Sequence, residues 1–329
     1  MTPTSYPVSI VIPTYRRRAS VQRALEALIS QTVSPGDYEV VVSIDGSEDG
    51  TREMVAAFSA PYDLRALWQP NKGRAAACNA GIRAARGELI VLLDDDMEAH
   101  PGFVAGHRQA HSAGSRLGVI GAAPVPLDTS ASPVRTYVGS KFNHHLEVLA
   151  QPNYVLKLRD FYSGNFSIRR SLLLEVGCFD EDFRMYGNED LELSLRLLRA
   201  GVRFAYSAEA MATQHYTKSF ADLARDTIAK GRTAVLLVHK HPETVRDLKL
   251  SAYADASRPW RLLRRTLLWC SSHWTGTARL VMWAGEWFGQ RRPRWLPVFY
   301  ALALDYCYWL GALSADGGDP KQPPAWWSW

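Results

Sequence analysis

The sequence predicts an α/β fold with a parallel sheet over its first two thirds and a helical region of different composition after it. Three observations lead there. Short β-branched or apolar runs alternate with segments of helical spacing, the pattern of βαβ units joined by right-handed crossovers. Several of those runs stop abruptly at a threonine or an aspartate. Between residues 257 and 295 eight arginines face one acid, Glu286, and ten of the eleven tryptophans lie at or beyond Trp260, so the last third is basic and aromatic.

Residues 8–12 form a β-branched strand closed by Pro13. Thr14, Tyr15, Arg16, Arg17 and Arg18 follow, and Ser20 is the expected N-cap of a helix whose Val21, Ala24, Leu25, Leu28 and Ile29 share one face. A second strand, residues 39–44, ends at Asp45-Gly46-Ser47, and Met54, Val55 and Phe58 mark the next helix. Residues 65–68 make a third strand, residues 73–86 an Ala-rich helix, and residues 89–93 a fourth strand. In a parallel sheet, ligands bind beyond the carboxyl ends of the strands, where Thr14, Asp45 and Asp94 fall together. Beyond Pro101 a helix over 103–111 and a strand over 117–122 are expected, followed by a Pro-rich stretch to about residue 157 without an assigned element. A strand over 163–168 allows a close backbone approach at Gly164; a short helix over 170–176 and a strand over 202–206 complete this part.

Two acidic stretches carry the chemistry. Five consecutive apolar residues, 89–93, are the mark of a strand buried on both faces, and they end in Asp94, Asp95 and Asp96. Side-chain alternation puts Asp94 and Asp96 on one side and Asp95 on the other. Hard oxygen ligands at that place suit Mg²⁺ or Mn²⁺ holding a phosphate, although a solvated acidic loop accounts for the same residues. In the second stretch Asn188 is the expected helix cap, with Glu189, Asp190 and Glu192 in the first turn, where acids are commonplace near the positive end of the helix dipole. His215 follows in a polar turn.

Over about residues 7–220 the chain resembles the family 2 glycosyltransferases, inverting enzymes of the GT-A fold. The matching pieces come in the family's order: Val8-Ser-Ile-Val-Ile-Pro-Thr-Tyr, Ser43-Ile-Asp-Gly-Ser-Glu-Asp-Gly-Thr, Asn71-Lys-Gly, Asn79-Ala-Gly-Ile, Leu92-Leu-Asp-Asp-Asp and Asn188-Glu-Asp. The resemblance implies an α/β, Rossmann-like mixed sheet flanked by helices, with a catalytic domain over 1–220 and a helical region over 221–329. It implies a nucleotide-sugar site of Pro13, Thr14, Tyr15, Arg17, Asp45, Asn71, Lys72, Arg74, Asp94 and Asp95. In that site Asp45 would hydrogen-bond the base, usually uracil, and Asp94 would contact the nucleoside. Mn²⁺ or Mg²⁺ would sit on Asp96, with His215 beside it, and the pair Glu189-Asp190 would supply the catalytic base, Asp190 foremost. Acceptors would be saccharides or lipid-linked hydroxyls. Two departures are visible. Cys78 stands where many relatives carry arginine, which would leave Lys72 or Arg74 to face the phosphates, and the Gln-x-x-Arg-Trp signature of processive synthases is absent after Asp190.

The remaining expectations concern the setting. Four cysteines without a C-x-x-C spacing fit a reducing compartment without disulfides, and no signal-peptide succession opens the sequence, so a cytoplasmic protein at the inner face of the cell membrane is expected. Residues 296–313 are apolar but short for a span and interrupted by Asp305. Trp and Arg together fit peripheral contact with an anionic membrane through residues 258–313, with a helical cap or dimer interface as the competing reading. No nucleic-acid partner is expected, since no recognised module accompanies the basic region. The tail over 316–329 is Gly- and Pro-rich and expected to be poorly ordered. On the residues alone, a nucleotidyltransferase and a non-catalytic membrane- or partner-binding protein stay open as alternatives.

Overall fold

The computed structural model describes residues 6–274 and 276–315; the C-terminal tail lies outside them. β1 (Tyr6–Thr14) is buried at every position but Pro7, because its apolar side chains fill both faces of a covered sheet. It continues past Pro13, where a break was expected. Pairing with the neighbouring fourth strand has ended at Val11↔Leu92, so on that side proline forgoes no ladder bond. Then come α1 (Arg18–Leu28), β2 (Tyr38–Asp45), α2 (Thr51–Ala57), β3 (Asp63–Gln69), α3 (Arg74–Ala84) and β4 (Gly87–Leu93), with β3, β2, β1 and β4 adjacent and parallel. Helix α1 starts before Ser20, which is therefore not its cap; the Arg17 carbonyl already accepts from Val21 N at 3.0 Å.

The chain proceeds through β5 (Met97–Ala99), α4 (Phe103–Ala110), β6 (Leu117–Gly121), α5 (Pro133–Leu149), β7 (Asn165–Arg169), α6 (Arg170–Glu175), α7 (Glu189–Arg199), β8 (Arg203–Ser207) and β9 (Ala212–Gln214). The seven-stranded sheet has the order β3-β2-β1-β4-β7-β6-β8. Strand–helix alternation by itself implied an all-parallel sheet. Instead β7 runs antiparallel to both β4 and β6, because it arrives through the long connection after α5 rather than through a helical crossover. Helix α5 occupies part of the stretch left unassigned, its start fitting Pro133 at the first helical position. Alternation along the strands builds two cores. Ile10, Ile12, Val40, Val42 and Val91 pack with Val21, Leu25 and Leu28, while Val11, Val41, Ile90 and Leu92 pack with Cys78, Ile82, Phe166, Leu193 and Leu197.

By its internal contacts the chain forms two compact units, one of Met1–Pro126, Gly139–Arg184 and Glu189–Tyr216, the other of Leu127–Val138, Met185–Asn188 and the residues from Thr217 onward. The second holds α8 (Phe220–Lys240), α9 (Arg258–His273), α10 (Gly276–Arg291) and α11 (Leu296–Ala315). By length and composition α11 alone among the described residues is apolar enough to cross a membrane, but more than half of it is buried within the protein. Its backbone lies against α8: a Cβ at Gly231 would run into the Tyr308 carbonyl, and one at Gly311 into that of Ile228. Asp305 is also accounted for. Its Oδ2 accepts from Arg264 Nη1 and Trp260 Nε1, each at 2.8 Å, and its Oδ1 meets Lys249 Nζ at 2.7 Å. The Arg264 guanidinium, 1% exposed, lies 4.0 Å from the Tyr253 ring centroid and 5.3 Å from that of Trp309. Burial raises the Asp305 carboxyl, but these three donors outweigh it and hold the group ionised below its ordinary range.

Candidate active site

The site is assembled at the carboxyl ends of β1, β2 and β4, all in the first unit. At the end of β4 the strand stops at Leu93 and the chain turns, Met97 N donating to the Asp94 carbonyl at 3.1 Å. Strand alternation therefore does not extend through the aspartates, and Asp95 does not point away from Asp96 as expected. Arg17 Nη1 lies 3.3 Å from both Asp95 Oδ1 and Asp96 Oδ2, and Asp95 Oδ2 accepts from Thr14 Oγ1 at 2.7 Å. Burial pushes the Asp95 carboxyl up to about 7 against the lowering pull of Arg17 and Thr14. For Arg17 burial works against the charge, and Asp95 and Asp96 more than restore it.

Asp94 faces a second guanidinium. Arg74, the first residue of α3, places Nη2 2.7 Å from Asp94 Oδ1 and Nη1 3.0 Å from Ser163 Oγ, and the same Nη1 lies 3.5 Å from Glu189 Oε1. Its charge is held strongly despite burial, with Asp94 the largest favourable contribution. Arg74 thus joins the acidic end of β4 to the start of α7. Gly164 makes the closeness tolerable: its carbonyl accepts from Asp94 N at 2.8 Å, and a Cβ there would sit 2.5 Å from Asp94 Oδ2. A Gly164→Ala variant should keep its fold, since the obstructed atom is a side-chain tip, but should displace Asp94. Donor binding or turnover should fall by about 10²-fold if the shift approaches 1 Å, measured by steady-state kinetics beside a melting curve.

At the end of β2, Asp45 is 3% exposed and accepts from Gln69 Nε2 at 2.8 Å, Lys72 N at 2.9 Å and Gly73 N at 2.8 Å. It therefore fixes the loop that carries Asn71 and Lys72 and leads into Arg74. Gly73, at φ 95° with its Cβ direction 2.8 Å from the Arg184 carbonyl, is the residue that lets this loop enter α3. Asn71 itself donates to the Asp45 carbonyl at 3.3 Å. Pro13 is buried in β1, while Tyr15 is 43% exposed beside Arg16. Cys78 lies on the buried face of α3, its thiol pushed up to about 12 by burial, so this departure from the arginine of relatives leaves no charge there.

The second acidic stretch behaves differently at each residue. Asn188 has φ 66° and directs its amide nitrogen to the Lys230 carbonyl and Thr233 Oγ1. Glu189 is 4% exposed, and its Oε2 has no hydrogen-bond partner among the described residues. Burial first and Asp190 second push its carboxyl up, against Arg74. Asp190 is half-buried, with Oδ1 accepting from Leu191 N at 2.8 Å. Asn79 pins the approach to this helix, bonding to both the carbonyl and the amide of Phe179 at 2.9 Å.

His215 reaches the aspartates through an unexpected sheet of three-residue strands, β5 and β9, too short for any periodicity to reveal. Its backbone N donates to the Asp96 carbonyl at 2.8 Å, and its Nε2 lies 2.6 Å from Glu98 Oε2. Among the described residues no three His, Cys, Asp or Glu side chains converge as a metal cage. Asp96 and His215 supply one carboxylate and one imidazole, the latter held at Nε2 by Glu98, so phosphate oxygens would have to complete any divalent-cation site here. Ser163 and Glu98 were not singled out by sequence, whereas Gly164 was.

The sheet order, the reversed β7 and the acidic turn after β4 define a GT-A glycosyltransferase fold. The mannosyltransferase PcManGT from Pyrobaculum calidifontis, solved with GDP-Man and Mn²⁺, superposes with a TM-score of 0.61 at 18% identity over 94% of this chain and 87% of that one. S. aureus TarS 1-349 in complex with UDP-GlcNAc gives 0.53 at 14% identity over 94% and 92%. The model of Glycosyl transferase family 2 matches residues 9–177, and the chain belongs to that family. A second model, Glycosyltransferase like family 2, matches residues 130–246. Validoxylamine A glucosyltransferase of Streptomyces hygroscopicus subsp. limoneus is 29% identical over 73% of this chain and 58% of its own length. Chondroitin synthase of Escherichia coli is 28% identical over 71% and 38%. The chain therefore spans well under two thirds of the length of these relatives.

Proposed function

We propose that this glycosyltransferase is an inverting, metal-dependent enzyme that moves a sugar from a UDP-sugar to a saccharide or lipid-linked hydroxyl, with residues 1–220 as its catalytic domain. One observation carries the reading. A single guanidinium, Arg74, lies 2.7 Å from Asp94 and 3.5 Å from Glu189, so a donor held at the end of β4 would have its reacting carbon within the neighbourhood of the carboxylates that begin α7. Single displacement needs such an arrangement. The acceptor oxygen attacks the anomeric carbon from one side, the bond to the diphosphate breaks on the other, and the acceptor proton passes to a carboxylate. Asp190 suits the base, being half-exposed, while Glu189 is buried. Arg17, Lys72 and Arg74 would face the diphosphate, and Thr14, Tyr15 and the Asp45 loop would wall the nucleoside. Asp96 and His215 would hold Mn²⁺ or Mg²⁺, which when bound supplies charge neutralisation for the leaving diphosphate. The UDP- and GDP-sugar complexes of the structural neighbours support a nucleotide-sugar donor; uracil follows from the family resemblance. Contact with an anionic membrane through the second unit completes the reading.

The test is a thermal-shift panel of UDP- and GDP-sugars with and without Mn²⁺. A UDP-sugar with Mn²⁺ should raise the melting temperature by several degrees at saturating ligand; equal shifts without metal would remove the metal from the donor site. The pH profile provides a second check. Burial and the Asp190 charge push the Glu189 carboxyl up to about 7, and only its ionised form holds Arg74. KM for the donor should therefore rise as pH falls through about 7. In Glu189→Gln, which has no such charge to lose, this inflection should be absent.

A further inference from the structure

The second unit exposes apolar and cationic side chains in one stretch. Along α9 the exposed positions recur at helical spacing: Leu262, Arg265 and Trp269, with Leu263 beside them, and Trp274 follows the helix. Along α10 they are Arg279, Leu280 and Trp283, and the ladder continues through Trp287 to Arg291, whose guanidinium lies 3.5 Å from the Trp287 ring centroid. Trp295, just before α11, and Val298, in its first turn, are 49% and 61% exposed, before that helix turns inward. Arg258, Arg265, Arg279, Arg291, Arg292 and Arg294 are exposed, and none pairs with a carboxylate among the described residues. The one acid of this stretch, Glu286, accepts from Ala221 N at 2.8 Å. The buried Arg264 belongs to the Asp305 cluster and is not part of this surface.

We infer that α9, α10 and the first turn of α11 form a surface that lies in the interface of an anionic lipid bilayer. The inference narrows the membrane contact named above, and it excludes residues 300–313, which are largely packed inside the unit. Large apolar side chains set among arginines that meet no carboxylate of the described residues are what an interfacial helix carries: rings and aliphatic chains at headgroup depth, guanidinium groups on lipid phosphates. A symmetric second copy would bring this cationic surface against itself, which like-charge repulsion opposes. A single-stranded nucleic acid would use the tryptophans for stacking but would give Leu262, Leu263, Leu280 and Val298 no partner.

The full chain should be mixed, without nucleotide or acceptor, with vesicles of neutral phosphatidylcholine and with vesicles containing about a third phosphatidylglycerol. Co-sedimentation should be at least about tenfold stronger on the anionic vesicles and should weaken in high salt. Arg291→Gln/Arg292→Gln/Arg294→Gln should lower binding by about tenfold or more. Leu280→Ser/Trp283→Ser should reduce it without changing its salt dependence. Both variants should keep wild-type donor binding, which separates this surface from the catalytic reading. Equal binding to both vesicle types, no binding to either, or preferential retention of an oligonucleotide would overturn the inference. Light scattering that reports a dimer lost in Leu280→Ser/Trp283→Ser, with no vesicle binding, would overturn it as well.

Discussion

Asp190→Asn is expected to lower sugar transfer by about 10²- to 10⁴-fold, the span over which a positioned general base contributes, with donor affinity unchanged within twofold. The isosteric amide keeps the hydrogen bond to Leu191 N that orients the side chain, so the loss reports the proton acceptor and not the helix start. Glu189→Gln provides the contrast. Glu189 is buried, and its contact is with Arg74. Removing its charge should weaken the hold on Arg74, raise KM for the donor and abolish the pH inflection of KM near 7, while leaving most of kcat. If the two variants exchanged these phenotypes, Glu189 would be the base.

Asp305→Ala should destabilise the second unit by about 3–5 kcal/mol, because it strands a buried guanidinium. Arg264 is 1% exposed, and its carboxylate partner is removed while Tyr253 and Trp309 keep it in place. The tryptophans of this unit make urea unfolding followed by their fluorescence a direct readout. Replacing both members, Asp305→Leu with Arg264→Met, should recover most of the loss, since an apolar pair of similar volume no longer buries an uncompensated charge. A single variant as stable as the wild type would mean that water and the Tyr253 carbonyl, which accepts from Arg264 Nη2, satisfy the guanidinium.

Much of the sheet could be read from residues because its strands are buried on both faces. The run 89–93 is five apolar residues, and β2 is buried throughout, so neither competes with a helix. The reading failed where geometry is set by distant partners. β5 and β9 are three residues each, and only their pairing brings His215 beside Asp96. Helix α5 hid behind Pro133, because a proline reads as a breaker inside a periodic stretch and as a starter only when the helix that follows is recognised. The aspartate triplet was legible as a site and misread in its facing, since a turn follows Leu93 where strand alternation was extended. Arg74 shows the same division. Its charge was expected to face phosphates, but its role as the link between Asp94 and Glu189 needs two segments more than ninety residues apart to meet.

Titration of UDP into the enzyme by calorimetry, with Mn²⁺ and then with chelator, in wild type and in Asp96→Asn, bears most directly on the donor site at the end of β4. UDP affinity should fall by at least about tenfold, roughly 1.4 kcal/mol, on removing the metal, because the diphosphate then faces the aspartates without a counter-charge, and the Asp96→Asn variant should be insensitive to Mn²⁺. Equal UDP affinity in all four titrations would contradict a metal-bridged diphosphate on Asp96.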